Sequence, residues 1–164
     1  QRVEIRPPWR IGWARAVSGR TVISSRDYPG GMVRMRSPRS WLRILTIRPG
    51  YSRLLMTVRP DMVNGHHICH GGLIFTLADS AFAYACNSYN KNTVASACHI
   101  DFLAPAKEGE TLEAEAVERS ASGRTGVYDI TVRTMGGKTV ALFRGKSYRI
   151  NGEVIAGLQQ ADQA

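Results

Sequence analysis

The order of apolar and polar positions predicts two strands, one long helix and then four more strands. Apolar residues on both sides of Pro49 and Gly50 indicate a strand, a turn and a strand between Trp41 and Val58. The segment 72–89 has apolar residues on all sides of a helix and no Pro or internal Gly. The later strands are expected at 93–103, 110–118, 125–134 and 139–150, with glycine-containing turns between them. This order predicts an α+β domain in which an antiparallel sheet wraps around one long, buried central helix.

The segment 64–87 contains the most unusual residues of the chain. It reads NGHHICHGGLIFTLADSAFAYACN, with three His and one Cys ahead of the apolar run. Asp79 is the single acidic residue inside that run. A buried carboxylate is costly unless something binds it or uses it, so Asp79 is a candidate for chemistry.

The net charge of +9 belongs to the first third of the chain. Residues 1–60 carry thirteen Arg, no Lys and two acidic residues, whereas residues 61–164 carry nine basic and eleven acidic ones. We predict a poorly ordered Arg-rich extension at 1–38, one domain at 39–157 and a tail at 158–164. Three other interpretations of the extension remain open: an arm for polyphosphate or nucleic acid, an organellar transit peptide, and a local sequence artefact.

The cysteines and the length of the apolar run suggest where the protein works. Cys69, Cys86 and Cys98 are odd in number and lack a disulfide spacing, so we expect free thiols and a cytoplasmic location. The apolar run 71–86 is too short to cross a bilayer. We therefore expect no membrane partner.

The start of the predicted helix is suited to binding a developing negative charge. Gly71 and Gly72 lie where backbone N–H groups have no partner within the helix, at the positive end of its dipole. Asp79 lies eight residues further on, about 12 Å along the axis, too far to reach the same carbonyl group. A second, antiparallel helix from a two-fold dimer would bring the two groups together.

Several segments of the chain resemble one known family. They are Asn64-Gly65-His66, Cys69-His70-Gly71-Gly72, Leu77-Ala78-Asp79, Ile100-Asp101-Phe102-Leu103, Gly126-Val127-Tyr128-Asp129 and Val140 to Ser147. These segments resemble the phenylacetic-acid-degradation thioesterases, which are hotdog-fold acyl-CoA hydrolases related to 4-hydroxybenzoyl-CoA thioesterase. The resemblance covers about 49–152 and implies a hotdog fold.

The resemblance also implies roles for individual residues. Asp79 matches the catalytic carboxylate, which attacks the thioester or activates water, and Gly71 matches the backbone donor that polarises the carbonyl. Asn64 matches an amide near the substrate or the attacking water, and His70 matches a histidine that orients the loop. Ala83 occupies the position at which a related branch of the family has a Thr one turn after its catalytic acid, so the help of that Thr is absent here. The family implies homodimers with composite sites, usually paired into a homotetramer, and no cofactor or metal.

The predicted function is hydrolysis of aromatic, phenylacetyl-type acyl-CoA thioesters in phenylacetate catabolism. Possible substrate contacts are Gly72, Phe75, Arg124, Arg144 and Lys146, although each of the three cations is more often a solvated surface charge. Generic candidates for an aromatic lining are Phe75, Phe82, Tyr84 and Phe102. The acyl preference stays open at this point.

Other interpretations of the same residues are weaker. The His and Cys residues of 66–70 lack a usual zinc spacing, and adjacent Cys69 and His70 seldom face each other as a nucleophile and its base. A hotdog hydratase would have a His five residues after its Asp, where this chain has Tyr84. A non-catalytic acyl-CoA-binding regulator would use the basic extension on DNA, but the domain shows no helix-turn-helix pattern. We expect no nucleic-acid partner.

Overall fold

A computed structural model describes residues 41–156. The predicted extension 1–38 and tail 158–164 lie outside the described residues. Within 41–156 there are six strands, a short 3-10 helix at Pro60–Met62 and one α-helix, α1, at Gly71–Asn87. The strands are β1 Leu42–Arg48, β2 Tyr51–Thr57, β3 Thr93–Phe102, β4 Thr111–Ser122, β5 Thr125–Thr134 and β6 Thr139–Arg149. No helix in this part of the chain is both long enough and apolar enough to cross a membrane.

The strands form one antiparallel sheet that packs around α1. Their spatial order is β1-β2-β4-β5-β6-β3, so β3 leaves the hairpin series and pairs with the far side of β6. The core lies between the helix and the concave face of the sheet, where Leu77, Ala78 and Phe82 meet Leu54 and Ile130. The predicted α+β hotdog architecture is confirmed.

The alternation of side chains along β5 explains which of them face the core. Tyr128, Ile130 and Val132 of β5 are buried, and the residues between them face outward, as their period-two pattern predicts. Gly123 and Gly137 adopt positive φ angles of 56° and 88° in the turns before β5 and β6. The predicted turns are confirmed at both places.

Two details differ from the prediction. β4 continues past Glu118 to Ser122, because a bulge between Glu118 and Ser120 lets the strand keep pairing with the start of β5. The helix is not buried on all sides: Thr76 is exposed, and Phe75, Asp79 and Ala83 are only partly covered. The uncovered face of α1 lies beside β3, whose residues are almost all exposed because β3 ends the sheet.

The backbone of Gly145 in β6 packs closely against the Phe82 ring of α1. A Cβ atom there would lie 2.9 Å from three ring atoms of Phe82, which is buried and packs edge-on against Tyr128. Replacing Gly145 by Ala is expected to lower the free energy of unfolding by about 1–3 kcal/mol, since the ring has no free space to enter. Denaturant unfolding measures this loss.

Gly136 provides the matched control for that substitution. A Cβ at Gly136 would meet only the Thr134 hydroxyl, at 3.7 Å. Gly136→Ala is therefore expected to leave the free energy of unfolding within about 0.5 kcal/mol of the original. Equal losses for the two variants would contradict the close contact between Gly145 and Phe82.

Candidate active site

The loop that enters α1 is held by backbone hydrogen bonds on both of its sides. The Cys69 N–H donates to the Ala106 carbonyl oxygen at 2.8 Å, and the His70 N–H donates to that of Met62 at 2.9 Å. Inside the loop, the Asn64 side-chain oxygen accepts from the His66 N–H at 2.9 Å. These hydrogen bonds therefore hold the first N–H groups of α1 in a fixed position.

Asn64 shapes this loop through its side-chain oxygen. The same oxygen also receives a longer contact of 3.5 Å from the Ile68 N–H, so it belongs to the turn. The side-chain NH₂ has no acceptor among the residues that the structure describes. Asn64 can therefore offer a ligand a hydrogen-bond donor.

His70 is the N-cap of α1, and its capping leaves one backbone donor unused. The His70 Nδ1 accepts from the Gly72 N–H at 3.0 Å, and the His70 carbonyl accepts from the Leu73 N–H at 2.9 Å. The Gly71 N–H has no acceptor in the described part of the chain. A donor at a helix N-terminus with no partner can bind a developing oxyanion.

Removing the cap is expected to destabilise the start of the helix. His70→Ala should lower the free energy of unfolding by about 1 kcal/mol, because the Gly72 N–H loses its acceptor. His70→Asn retains a side-chain acceptor at the N-cap and should recover most of that loss. Urea unfolding of both variants measures the difference, and an Ala variant as stable as the Asn variant would contradict the capping role.

Asp79 lies in the middle of α1 on its partly covered face. Its carboxylate has no hydrogen bond or ion pair with any residue in 41–156, and burial raises its pKa above the ordinary value. A carboxylate without hydrogen bonds is a stronger base and nucleophile than a solvated one. Helix geometry places it about 12 Å from Gly71 along the axis, as the sequence predicts.

Two thiols lie close to Asp79, and sequence reasoning gave them no place in the site. Burial raises the pKa of the Cys86 thiol to about 12, and the Asp79 carboxylate adds to that increase. For Cys98, burial and then the same carboxylate raise the pKa. Cys86 lies two turns after Asp79 on the same helix. No local sequence pattern places Cys98 near Asp79, because Cys98 reaches it through the pairing of β3 with β6. These raised pKa values keep both thiols protonated at neutral pH.

Cys69 does not have the properties of a nucleophile. It is 2% exposed, its Sγ contacts the His70 carbonyl oxygen at 3.8 Å, and burial raises its pKa. Nor do residues 41–156 bring together three His, Cys, Asp or Glu side chains in a group that could hold a metal ion.

The aromatic candidates lie in different places relative to the helix. Phe102, at the end of β3, lies against Gly71 and is 53% exposed. Phe75 is partly covered and packs edge-on against Phe143, with ring centroids 5.3 Å apart. Phe82 and Tyr84 are buried in the core. Of these four aromatic residues, Phe102 and Phe75 are at least partly exposed, and we call the uncovered surface between α1 and β3 on which they lie the groove.

The three candidate cations lie away from this groove. Arg144 donates two hydrogen bonds to Asp129, at 2.7 and 2.9 Å, on the convex face of the sheet opposite the helix. Lys146 is exposed on the same face, and Arg124 is exposed in the turn between β4 and β5. Within one chain, the structure does not bring these cations together with Gly71 and Asp79.

Comparisons with known proteins identify the family of this chain. The model of the thioesterase superfamily matches residues 66–141. The chain is 54% identical over 111 residues to the acyl-coenzyme A thioesterase PaaI of Escherichia coli K12, covering 68% of this chain and 79% of that protein. It is also 41% identical over 109 residues to a putative esterase of Archaeoglobus fulgidus, covering 66% of this chain and 71% of that protein.

Solved structures show the same fold. The structure of the E. coli PaaI protein from the phenylacetic acid degradation operon superposes with a TM-score of 0.68, covering 68% of this chain and 81% of that one. A Streptococcus mutans protein bound to acetyl CoA superposes with a TM-score of 0.67, covering 73% of this chain and 95% of that one. The second is 23% identical, so it supports the fold alone.

Proposed function

Because this chain belongs to the thioesterase superfamily and is a thioester hydrolase, we propose that its substrates are aromatic, phenylacetyl-type acyl-CoA thioesters. The products are the free acid and coenzyme A, and the reaction serves phenylacetate catabolism. The observation that carries this proposal is the unpaired Gly71 N–H at the start of α1, in a groove that also holds Asp79. The names of the E. coli relatives, an acyl-CoA thioesterase and a phenylacetic acid degradation protein, support the substrate class.

The Gly71 N–H and the Asp79 carboxylate supply the two functions that thioester hydrolysis needs, an oxyanion donor and a base or nucleophile. The Gly71 N–H donates to the thioester carbonyl oxygen and stabilises the charge that develops there. The Asp79 carboxylate either attacks the carbonyl carbon, giving an anhydride that water then cleaves, or takes a proton from an attacking water. In both routes the carbon–sulfur bond breaks, and the sulfur leaves as a thiolate that takes up a proton. Asn64, through its free NH₂, acts as a second donor to the substrate or the water.

The distance of about 12 Å between Gly71 and Asp79 means that one chain holds two half-sites. We therefore place the complete site in a homodimer, with Asp79 of one subunit beside Gly71 of the other. The exposed end strand β3 and the uncovered face of α1 supply the surface for that dimer. Exposed Leu142 and Tyr148 on the convex face suit a further pairing into a tetramer. Light scattering should give two or four times the chain mass of 18.1 kDa.

The acyl preference is tested by thiol release from a matched set of thioesters. Phenylacetyl-CoA, hexanoyl-CoA and palmitoyl-CoA are compared by kcat/KM with the full chain. Phenylacetyl-CoA is expected to be hydrolysed fastest. A preference for palmitoyl-CoA, or no thiol release from any of the three, would contradict the proposal.

The cysteines support our proposal for where the reaction takes place. The three cysteines are free, which suits a reducing compartment. We place the enzyme in the cytoplasm, where its coenzyme A thioester substrates are made and used.

A further inference from the structure

The ring of Phe102 covers the backbone of Gly71. If Gly71 carried a Cβ, that atom would lie 3.2, 3.4 and 3.6 Å from the ring atoms Cζ, Cε1 and Cε2. Glycine is therefore the residue that lets an aromatic ring pack onto the backbone beside the unpaired N–H. Within one chain Phe102 is still 53% exposed, so one side of its ring packs against the glycine and the other faces the surface where we place the composite site.

The register of β3 explains why this ring points toward the helix. Phe102 is paired with Ala141 and Ile100 with Phe143, and both partners are buried on the concave face. Directly opposed residues in an antiparallel pair point to the same side of the sheet. Phe102 therefore faces the groove in which the Gly71 donor lies.

A second aromatic residue extends the same surface. Phe75 lies four residues after Gly71, on the same side of α1, and is only partly covered. Its ring packs edge-on against Phe143, which fixes its position. Phe102 and Phe75 therefore both place aromatic rings near the Gly71 donor.

We propose that Phe102 is a specificity-determining residue, whose open ring face contacts the acyl group while the Gly71 N–H holds the thioester carbonyl oxygen. This inference rests on the proposed function and deepens it, because it names the part of the site that selects an aryl acyl group. An aromatic ring packs on another ring in offset or edge-on geometry more favourably than an alkyl chain of similar area does. The ring also keeps water away from the donor, which strengthens its bond to the oxyanion.

The first test compares an aryl with an alkyl thioester. Phe102→Ala is expected to lower the ratio of kcat/KM for phenylacetyl-CoA to that for hexanoyl-CoA by about tenfold, and Phe102→Tyr should retain the ratio. Leu103→Ala is the matched control, since Leu103 is the next residue, is similarly exposed at 56% and has no part in the site. It should leave the ratio unchanged.

The second test is a double-mutant cycle on the contact between Gly71 and Phe102. Gly71→Ala keeps the N–H but adds the Cβ that displaces the ring, so it should lower the aryl preference by a factor similar to Phe102→Ala. In the Phe102→Ala background the added Cβ meets free space, and the same change should have no further effect. Fully multiplicative effects would overturn the proposal.

An unchanged aryl-to-alkyl ratio in Phe102→Ala would also overturn it, whether both rates stay at the wild-type level or fall equally with a smaller particle mass in light scattering. Either result leaves the wild-type chain active and the proposed function intact. If the wild-type chain releases no thiol from either substrate, the proposed function itself fails.

Discussion

Replacing Asp79 by Asn is expected to lower kcat/KM for phenylacetyl-CoA by about 10²–10⁴-fold while leaving the chain folded. Asn has nearly the same shape as Asp but neither attacks a carbonyl nor accepts a proton at neutral pH. The Asp79 carboxylate makes no hydrogen bond within 41–156, so its replacement leaves no donor there without an acceptor. Thiol release with purified protein measures the loss.

The pH dependence of the same variant provides a separate check. Burial raises the pKa of Asp79, so the wild-type rate should fall with acidification at a pH above the ordinary range of an aspartate. This fall in rate at acidic pH, the acidic limb of the pH profile, should be absent from the residual activity of Asp79→Asn. A limb at the same pH in both proteins would assign it to another group.

Stability should change in the opposite direction to activity. A carboxyl group whose folded-state pKa is raised favours folding when protonated, and this contribution is lost as the pH rises through that pKa. The Asn variant lacks this ionisation, so at neutral pH its Tm should equal or exceed that of the wild type. Asp101→Asn is the control, because Asp101 is exposed on the other side of β3 and its carboxylate pairs, among residues 41–156, with His99 alone. A wild-type rate in Asp79→Asn, or a lost rate in Asp101→Asn, would contradict the assignment.

Local sequence patterns were sufficient to predict most of the fold. The alternation from Val127 to Val132 and the glycines at 123 and 137 specify strands and turns through neighbours in the chain. The helix prediction succeeded in position but failed in burial. A helix face made of Ala, Phe and Asp looks the same in the sequence whether it packs against the core of its own chain or against a second subunit. The local pattern therefore does not distinguish a buried face from an uncovered one.

The candidate site could be predicted only in part, because some of its neighbours in space come from long-range pairing. The sequence offered Phe102 only as a generic aromatic lining residue and gave no sign of Cys98 near Asp79. Gly71, His70 and Asp79 lie on one continuous segment, where helix geometry alone relates them. Phe102 and Cys98 reach that segment because β3 pairs with β6, and two strands, β4 and β5, lie between them in the chain. The residues next to them in the sequence give no sign of which helix position each will meet.

Removing the Gly71 N–H is expected to lower kcat by about 10²–10³-fold, and proline is the substitution that removes this donor. Gly71 is the first helical residue, where proline is well tolerated, and His70 has φ −61° and ψ 130°, the extended conformation that precedes proline. Gly71→Ala is the matched control, because it also displaces Phe102 but retains the donor. Thiol release with phenylacetyl-CoA should show the large loss in the Pro variant only. Similar rates for the Pro and Ala variants would contradict a donor role for this N–H.

The same variant tests whether each site draws on two chains. In a dimer of Gly71→Pro with Asp79→Asn, one site combines the intact Asp79 of the first chain with the intact Gly71 of the second. Random assembly makes half of the dimers mixed, and each mixed dimer has one working site, so co-expression should restore about a quarter of the wild-type rate. Each variant expressed alone should stay inactive. If co-expression restores nothing while mixed dimers are isolated through two different tags, each chain holds its own complete site, and the 12 Å separation must then close within one subunit.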